Sequence, residues 1–521
     1  MPTPYARASQ EAPPVTPSFL ARVLRSAGPV TVILAVASLF MGTAAVAQVG
    51  TLRVAIEPPV QLDPAFASSD SEIAVLNSVY DYLIDIDAQN DIQPRLASDW
   101  TVSDDGLRYT FRLAEGVTFH DGSALRAQDV VWTFDRLRDP SLELPTSDLY
   151  ANIADITTSG ELEVTFTLHQ TNPFFLYDLS DNHALIVKAG TADAGTNFNG
   201  TGPFRVDDYR VGTRMSLSAN ESYFIDGKPG VENLELIFFS DQVAAVDAIR
   251  GGQVDLVLRM PTPLFLTLQA EPGIEAVSVP TNAFDLVRLR ADRPPGDDPR
   301  VQQALKLLTD RDAIIEAVTL GLGAPGKHSP IGPLYSQYFA EELEVPEPDV
   351  EQARQLLAEA GYEDGLELEL HTPDTGDRPT LAVVLKDQWA RGGVDIEVIV
   401  QPESVYYSDG GWLDVGLGIT GWGSRPIPQY FLDVMVACDA VWNEAHWCDE
   451  EVDRLIEVAG TTLDDEARAE AYLEIQRILL ERGPLIIPYF FPQFGAIRET
   501  FENFELKAFP GRSDLAAIQV R

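Results

Sequence analysis

Apolar and polar positions alternate along Thr51–Ile56, which predicts a strand. A proline-rich loop follows it through Pro58, Pro59 and Pro64. A clearer period of two places Leu107, Tyr109, Phe111 and Leu113 on one face, with Arg108, Thr110 and Arg112 on the other. Asp104-Asp105-Gly106 joins this strand to Trp100–Val102 as a hairpin. Leu162, Val164, Phe166 and Leu168 repeat the pattern after Ser159-Gly160, so 97–197 reads as a strand-rich insert. Beyond residue 300 the period turns helical, with a stripe of Val301, Ala304, Leu305 and Leu308 continued by Ile315 and Val318. Asp349 with Gln352 predicts a capping box ahead of Ala353, Leu356, Leu357 and Ala360, and Gly361 ends that helix. A further amphipathic helix spans Leu463–Arg482 and stops at Gly483-Pro484. The strands Leu366–Leu370, Ile396–Val400 and Leu413–Thr420 separate these helices, so the second half reads as α/β. The Pro-, Asp- and Gly-rich segment Ala291–Pro299 reads as a crossover between lobes.

The chain has 521 residues, too many for one hydrophobic core, so two or three units are expected. Its beginning changes the picture further. Arg22 and Arg25 precede a charge-free stretch reaching to Arg53, with an apolar heart at Val30–Met41 and small residues ending in Ala45-Val46-Ala47. This predicts an export signal cleaved after Ala47, with a retained membrane anchor as the alternative. The formal charge is −43, and removing 1–47 takes three Arg and one Glu, leaving −45. Such a surface repels nucleic acid and anionic lipid, so neither is expected as a partner. Only six Lys occur, which suggests a saline habitat or a GC-rich genome. Cys438 and Cys448 can close a small loop in an oxidising compartment, with a stabilisation of roughly 2–3 kcal/mol. No cofactor or metal is implied, because the six His are scattered and the two Cys with His446 lack paired ligand spacing.

The order of landmarks along the chain is informative. Pro94-Arg95-Leu96-Ala97-Ser98-Asp99-Trp100 precedes Gly116-Val117-Thr118-Phe119-His120-Asp121-Gly122 and Ala127-Gln128-Asp129-Val130-Val131. Gly200-Thr201-Gly202-Pro203-Phe204, Gly227-Lys228-Pro229 and Gly251-Gly252-Gln253-Val254-Asp255 follow, then Asp298-Pro299-Arg300-Val301. Together they resemble the bacterial extracellular solute-binding protein family 5, the dipeptide, oligopeptide and nickel binders of ABC importers, over about residues 51–510.

That resemblance implies an α/β, two-lobed periplasmic-binding-protein fold with its ligand cleft between the lobes. The expected parts are a first-lobe core from 48–96, 198–285 and 488–521, the insert at 97–197, and a second lobe at 286–487. The expected partners are a small peptide or other small molecule and an ABC permease with its ATPase subunits. The protein would act as a soluble periplasmic monomer and not as an enzyme. Phe119-His120-Asp121-Gly122 reads as a hydrogen-bonded turn rather than a catalytic pair. No Gly-x-Ser-x-Gly or His-Glu-x-x-His signature occurs, and no nucleophile–base constellation stands out.

Recognition is expected around Gly421-Trp422-Gly423-Ser424-Arg425-Pro426. Where the family's ammonium-holding Asp would stand, this chain has Arg425, with no acid until Asp433. The family's carboxylate-binding Arg would fall near Thr372. Arg425 could hold a ligand carboxylate in a bidentate pair, or simply pair with surface acids. Trp422 and Trp442 are candidate ligand walls, with Asn443 beside them, and Pro59 and Val60 would offer backbone groups from the first lobe. Oligosaccharide and opine-type ligands are the alternatives; nickel or haem binding and a sensor without transport are further ones.

Overall fold

The computed structural model describes residues 50–142, 144, 148–408, 410–509 and 511–521. The expected export signal and its cleavage point lie outside them. Thr51–Ile56 pairs in parallel with Asn233–Phe238 on one side and Leu256–Val257 on the other. Covered on both faces, it is buried at every position but the half-buried Arg53, as central parallel strands are. Arg214–Ala219 and Phe204–Arg210 extend this end of the sheet antiparallel. The other way, the order runs through Tyr489–Arg498, Ile274–Leu289, Leu417–Trp422, Leu366–Pro373 and Val394–Gln401. The last three are parallel to one another.

Two long strands carry this single sheet from one lobe to the other. Residues 274–279 pair with 493–498, whereas 284–289 pair with 417–422. Between Val279 and Ala283 the register slips. Pro280 and Pro492 both lie in that stretch, and neither has an N–H to give to a ladder. The Thr281 hydroxyl fills the gap, donating to the Phe491 carbonyl at 2.6 Å and accepting from the Ala283 amide at 2.9 Å. On one side of this break, the core gathers Leu52, Val54, Leu234, Leu236 and Ile497. On the other, two clusters pack around Phe284, Leu286 and Trp422 and around Val287, Leu305 and Trp389.

The segment Ala291–Pro299 is not the crossover. It lies within the second lobe, where the Ala291 amide donates to Ala445 O at 2.7 Å and Arg293 Nη2 to Asp414 O at 2.7 Å. The passage comes earlier, at 280–282, because the prolines interrupt the ladder there. The helical stripe beginning at Val301 also divides into Pro299–Leu307 and Arg311–Val318, since the Asp310 carboxylate caps a new helix. Asp349 caps its helix through the Gln352 amide, and the last long helix begins at Asp465, leaving Leu463 outside it and exposed. The third of these strands starts at Leu417 rather than Leu413.

The insert contains a separate antiparallel sheet, ordered Ala97–Val102, Arg108–Leu113, Glu163–Leu168, Ile153–Thr158. Its alternation follows the sequence pattern: Tyr109 stands opposite Phe166, Phe111 opposite Val164, and all four are buried. The helix Ala127–Leu137 covers them, with Phe134 edge-on to Phe166 at 5.1 Å.

After Arg498 the chain returns to the first lobe, placing Phe501, Leu515 and Ile518 in the core with Leu52. A buried charge network fastens it. Arg512 Nη2 donates to Asp85 Oδ1 at 2.6 Å, Nη1 to Ser180 O at 2.6 Å, and the guanidinium lies 4.0 Å from the Tyr82 ring centroid. Lys507 Nζ donates to Ile86 O at 2.7 Å. Burial opposes the charge on Asp85, but Arg512, Lys507 and Arg95 outweigh it and hold this carboxyl well below the usual carboxylate range.

Replacing Arg512 by Met leaves Asp85 buried without its partner and costs about 3–5 kcal/mol, read as a lower urea midpoint. Because the folded Asp85 titrates below its unfolded value of about 4, its contribution is complete above that pH and fades as the pH falls further. The gap between wild type and Arg512→Met therefore narrows between pH 7 and pH 3, and a constant gap would refute the pairing as its source.

Candidate ligand-binding site

The parallel strands of both lobes point their carboxyl ends at one cavity of about 470 Å³. From the first lobe it is lined by Ile56 and Glu57, by Phe239 and by Leu258 and Arg259, each at or just past the end of a parallel strand. From the second lobe come Gly421, near the end of Leu417–Trp422, and Glu403, just past the end of Val394–Gln401. Gln493 enters from a crossing strand beside the register break. In open α/β sheets this is where ligands sit, since the strand ends and the loops after them leave backbone groups and helix starts facing outward.

Gly421 borders this cavity for a steric reason. A Cβ there would overlap the guanidinium of Arg378, with Nη2 nearest. Arg378 stands at the start of the helix Arg378–Ala390, which follows the strand Leu366–Pro373. Its Nε donates to Asp285 Oδ1 at 3.0 Å and its Nη1 to Thr375 Oγ1 at 2.7 Å. Asp285 also accepts from the Tyr489 hydroxyl at 2.6 Å, so both crossing strands orient this arginine. Nη2 has no hydrogen-bond partner among the described residues. Burial works against the charge of Arg378, and the Asp285 carboxylate more than restores it.

The loop 57–61 is held from behind. Glu72, 3% exposed, accepts amides from Val60 at 3.0 Å, Gln61 at 2.7 Å, Ser68 at 2.9 Å and Ser69 at 3.0 Å. Burial raises its carboxyl, but these four amides together lower it. The Val60 amide is thus committed inward while its side chain is 96% exposed, and Pro59 is buried.

The residues singled out in the second lobe are brought together, but mostly toward its interior. Trp422 is 8% exposed, stacks on Phe284 at 6.4 Å and donates its Nε1 to Glu444 at 3.2 Å. Glu444 is itself buried against Arg288, with Nε and Oε2 3.4 Å apart, and accepts from the Thr420 hydroxyl at 2.6 Å. Trp442 is half-buried between Trp412 and Trp422. Cys438 and Cys448 are disulfide-bonded, and Asn443 fills the loop between them, its Nδ2 donating to Ala437 O and Trp447 O. Ser424 is buried and accepts the Asn282 amide at 3.1 Å, tying the recognition loop to the break in the crossing strand. Gly423 is exposed. Among the described residues Arg425 forms no ion pair within 4 Å; it lies 4.8 Å from the Tyr430 ring centroid and its charge reaches first-lobe Asp181. Thr372 is fully buried.

Other suggestive runs carry no chemistry here. His120 places both ring nitrogens on backbone carbonyls, Gly202 at 3.0 Å and Phe198 at 3.3 Å, and burial lowers its basicity. Asp121 turns instead to Lys188 and Ser123. Gly321–Lys327 has the glycine spacing of a nucleotide-binding loop. Yet Ala324–Pro325 is a short edge strand on Tyr489–Phe490, and Lys327 Nζ donates to Ala340 O and Glu341 O. Among the described residues no three metal-ligating side chains converge, and no helix is long and apolar enough to cross a membrane.

The chain is 28% identical to Di/tripeptide-binding protein 1 of Pseudomonas aeruginosa over 87% of its own length and 90% of that protein. It is 27% identical to Heme-binding protein A of Haemophilus influenzae, over 82% of this chain and 84% of the other. Its fold matches the dipeptide binding protein from Pseudoalteromonas sp. SM9913 in complex with Met-Leu, with a TM-score of 0.78 at 24% identity, covering 90% of this chain and 100% of that one. This fold is the two-lobed one of the periplasmic binding proteins. Residues 91–443 match the family model for bacterial extracellular solute-binding proteins, family 5 Middle, and the chain belongs to that family.

Proposed function

We propose that the protein captures a small peptide or peptide-like compound with a free carboxylate by closing its lobes, and delivers it to an ABC permease driven by ATPase subunits. It would work as a periplasmic monomer after cleavage of its leader following Ala47. The lobes would be those of 48–96 with 198–285 and 488–521, and of 286–487, turning about the break at 280–282 and Pro492. The observation that carries the reading is the Arg378 guanidinium, which packs against cavity-lining Gly421 and is steadied by both crossing strands. Its one nitrogen without a partner among the described residues, Nη2, can give a charge-assisted hydrogen bond to a carboxylate. Relatives named for di- and tripeptides give peptides precedence. The indoles of Trp412, Trp422 and Trp442 pack on one another, so none of these observations favours a sugar-stacking platform over a peptide site.

Mass spectrometry of ligand released from the native protein should yield a carboxylate-bearing compound of peptide size. In calorimetric titrations with dialanine, Arg378→Gln should weaken binding roughly 30-fold or more, while the C-terminal amide binds wild type and variant alike. Equal losses for both ligands would mean that Arg378 acts only through the fold. Arg425→Ala, the competing assignment, should change affinity by less than about 5-fold.

Gly421→Ala forces Arg378 out of place and should reproduce the loss seen in Arg378→Gln, with thermal unfolding showing that the variant is folded. Wild-type affinity in Gly421→Ala would reject the role given to this close approach.

A further inference from the structure

Two consecutive side chains of the insert go to different lobes. Phe175 enters the first-lobe core, its ring centroid 4.8 Å from that of Tyr109 and 5.6 Å from that of Phe166. Phe174, 4% exposed, instead joins the second-lobe cluster of Phe284, Phe431 and Tyr472. Its ring centroid lies 6.5 Å from that of Tyr472 and 5.3 Å from the guanidinium carbon of Arg468. Arg468 is itself buried and held in place, with Nη1 donating to the Tyr338 hydroxyl at 3.1 Å and Nη2 to Thr462 O at 3.0 Å. Polar contacts span the same junction. Thr171 Oγ1 donates to Thr461 O at 2.8 Å, and Asn90 Nδ2 to Pro426 O at 2.5 Å.

The insert itself is bound to the first lobe. Its Phe111, Phe134 and Phe166 belong to one continuous core with Leu52 and Val54. Arg136 grips Asp63 through two hydrogen bonds, at 2.9 and 2.5 Å, and the Tyr80 hydroxyl donates to Asn197 O at 3.0 Å. Turning the lobes apart at 280–282 therefore draws Phe174 out of the second lobe and exposes its ring to water. Burial of one such ring shifts a closed-to-open ratio by roughly 10–100-fold. Phe174, Arg468, Tyr472, Thr171 and Thr461 do not line the candidate ligand cavity, which both lobes border in this conformation. The aromatic contact and the ligand thus act at separate places on one closing motion.

We propose that Phe174 is the lock of the closed conformation, a residue that sets affinity without touching the ligand. It rests on the reading of lobe closure about 280–282 and is independent of the ligand's identity. Because the lock is made by the protein alone, it favours closure before any ligand has bound. Every ligand is spared the same part of the closing cost. Phe174 therefore fixes the overall level of affinity, and the cavity fixes the order of preference among ligands.

Small-angle X-ray scattering of the unliganded protein tests the lock directly. Wild type should scatter as this closed structure does, and Phe174→Ala should show a larger radius of gyration. Phe174→Leu keeps apolar bulk but loses the ring beside Arg468, and should fall between the two. In calorimetric titrations Phe174→Ala should weaken dialanine and the dipeptide Met-Leu by one common factor of roughly 10-fold or more, leaving their ratio unchanged. Thermal unfolding shows whether the variant is folded; if it is not, Phe174→Leu and Thr171→Val carry the same comparison. An unliganded wild type that is already extended, a variant that scatters as wild type does, or unequal losses for the two peptides would each overturn the lock. If wild type binds neither peptide, the peptide reading falls and the scattering still decides the lock.

Discussion

Everything in this molecule hangs on a ladder that is interrupted once. Ile274–Leu289 and Tyr489–Arg498 are long enough to serve both lobes, and continuous pairing would make them a stiff beam. Pro280 and Pro492 remove donors at the same level, and Thr281 substitutes a hydroxyl for the missing backbone bonds. The ladder is therefore weakest where the two cores part. The residues nearest the break border the candidate site: Gln493 lines the cavity, Asn282 holds Ser424, and Asp285 with Tyr489 orients Arg378. Rotation at the break would be felt directly by the groups suited to touch a ligand.

A second theme is the treatment of buried charge. The chain tolerates ions in its interior where hydrogen bonds or partners surround them, as with Glu72 under four amides, Arg512 on Asp85, and Glu444 on Arg288. These groups shape loops and fasten the tail.

Much of the fold was legible in the sequence. Period-two alternation found the insert's strands, and the ordered motifs gave the family and thus the two lobes. The site was legible only by neighbourhood. Gly421 and Glu57 line the cavity immediately beside Trp422 and the 58–60 loop, yet the named side chains themselves mostly turn inward. Periodicity could not separate a tryptophan that walls a cleft from one that roofs a core, because both look apolar. Arg378 stands six positions after Thr372, near which the resemblance put the family's carboxylate-binding Arg. The available signal was a glycine in a recognition strand and an arginine opening a helix after a parallel strand, a pairing that needs spatial knowledge. The crossover was misplaced because Ala291–Pro299 is richer in turn residues than the two isolated prolines that interrupt the strands.

The returning tail has a consequence for the order of events in the protein's life. The first lobe opens with the strand at residue 51, yet its core is completed by Ile518, and Arg512 meets Asp85 from 427 positions away. The second lobe lies between and can pack earlier, from contacts closer in the chain. Such distant closure is slow and waits for the last segment to appear. A chain emerging from its amino end therefore lacks a finished first lobe until the segment around Arg512 and Ile518 has joined it. The same topology that joins the two lobes thus makes the first lobe, whose strand opens the fold, the last to be completed.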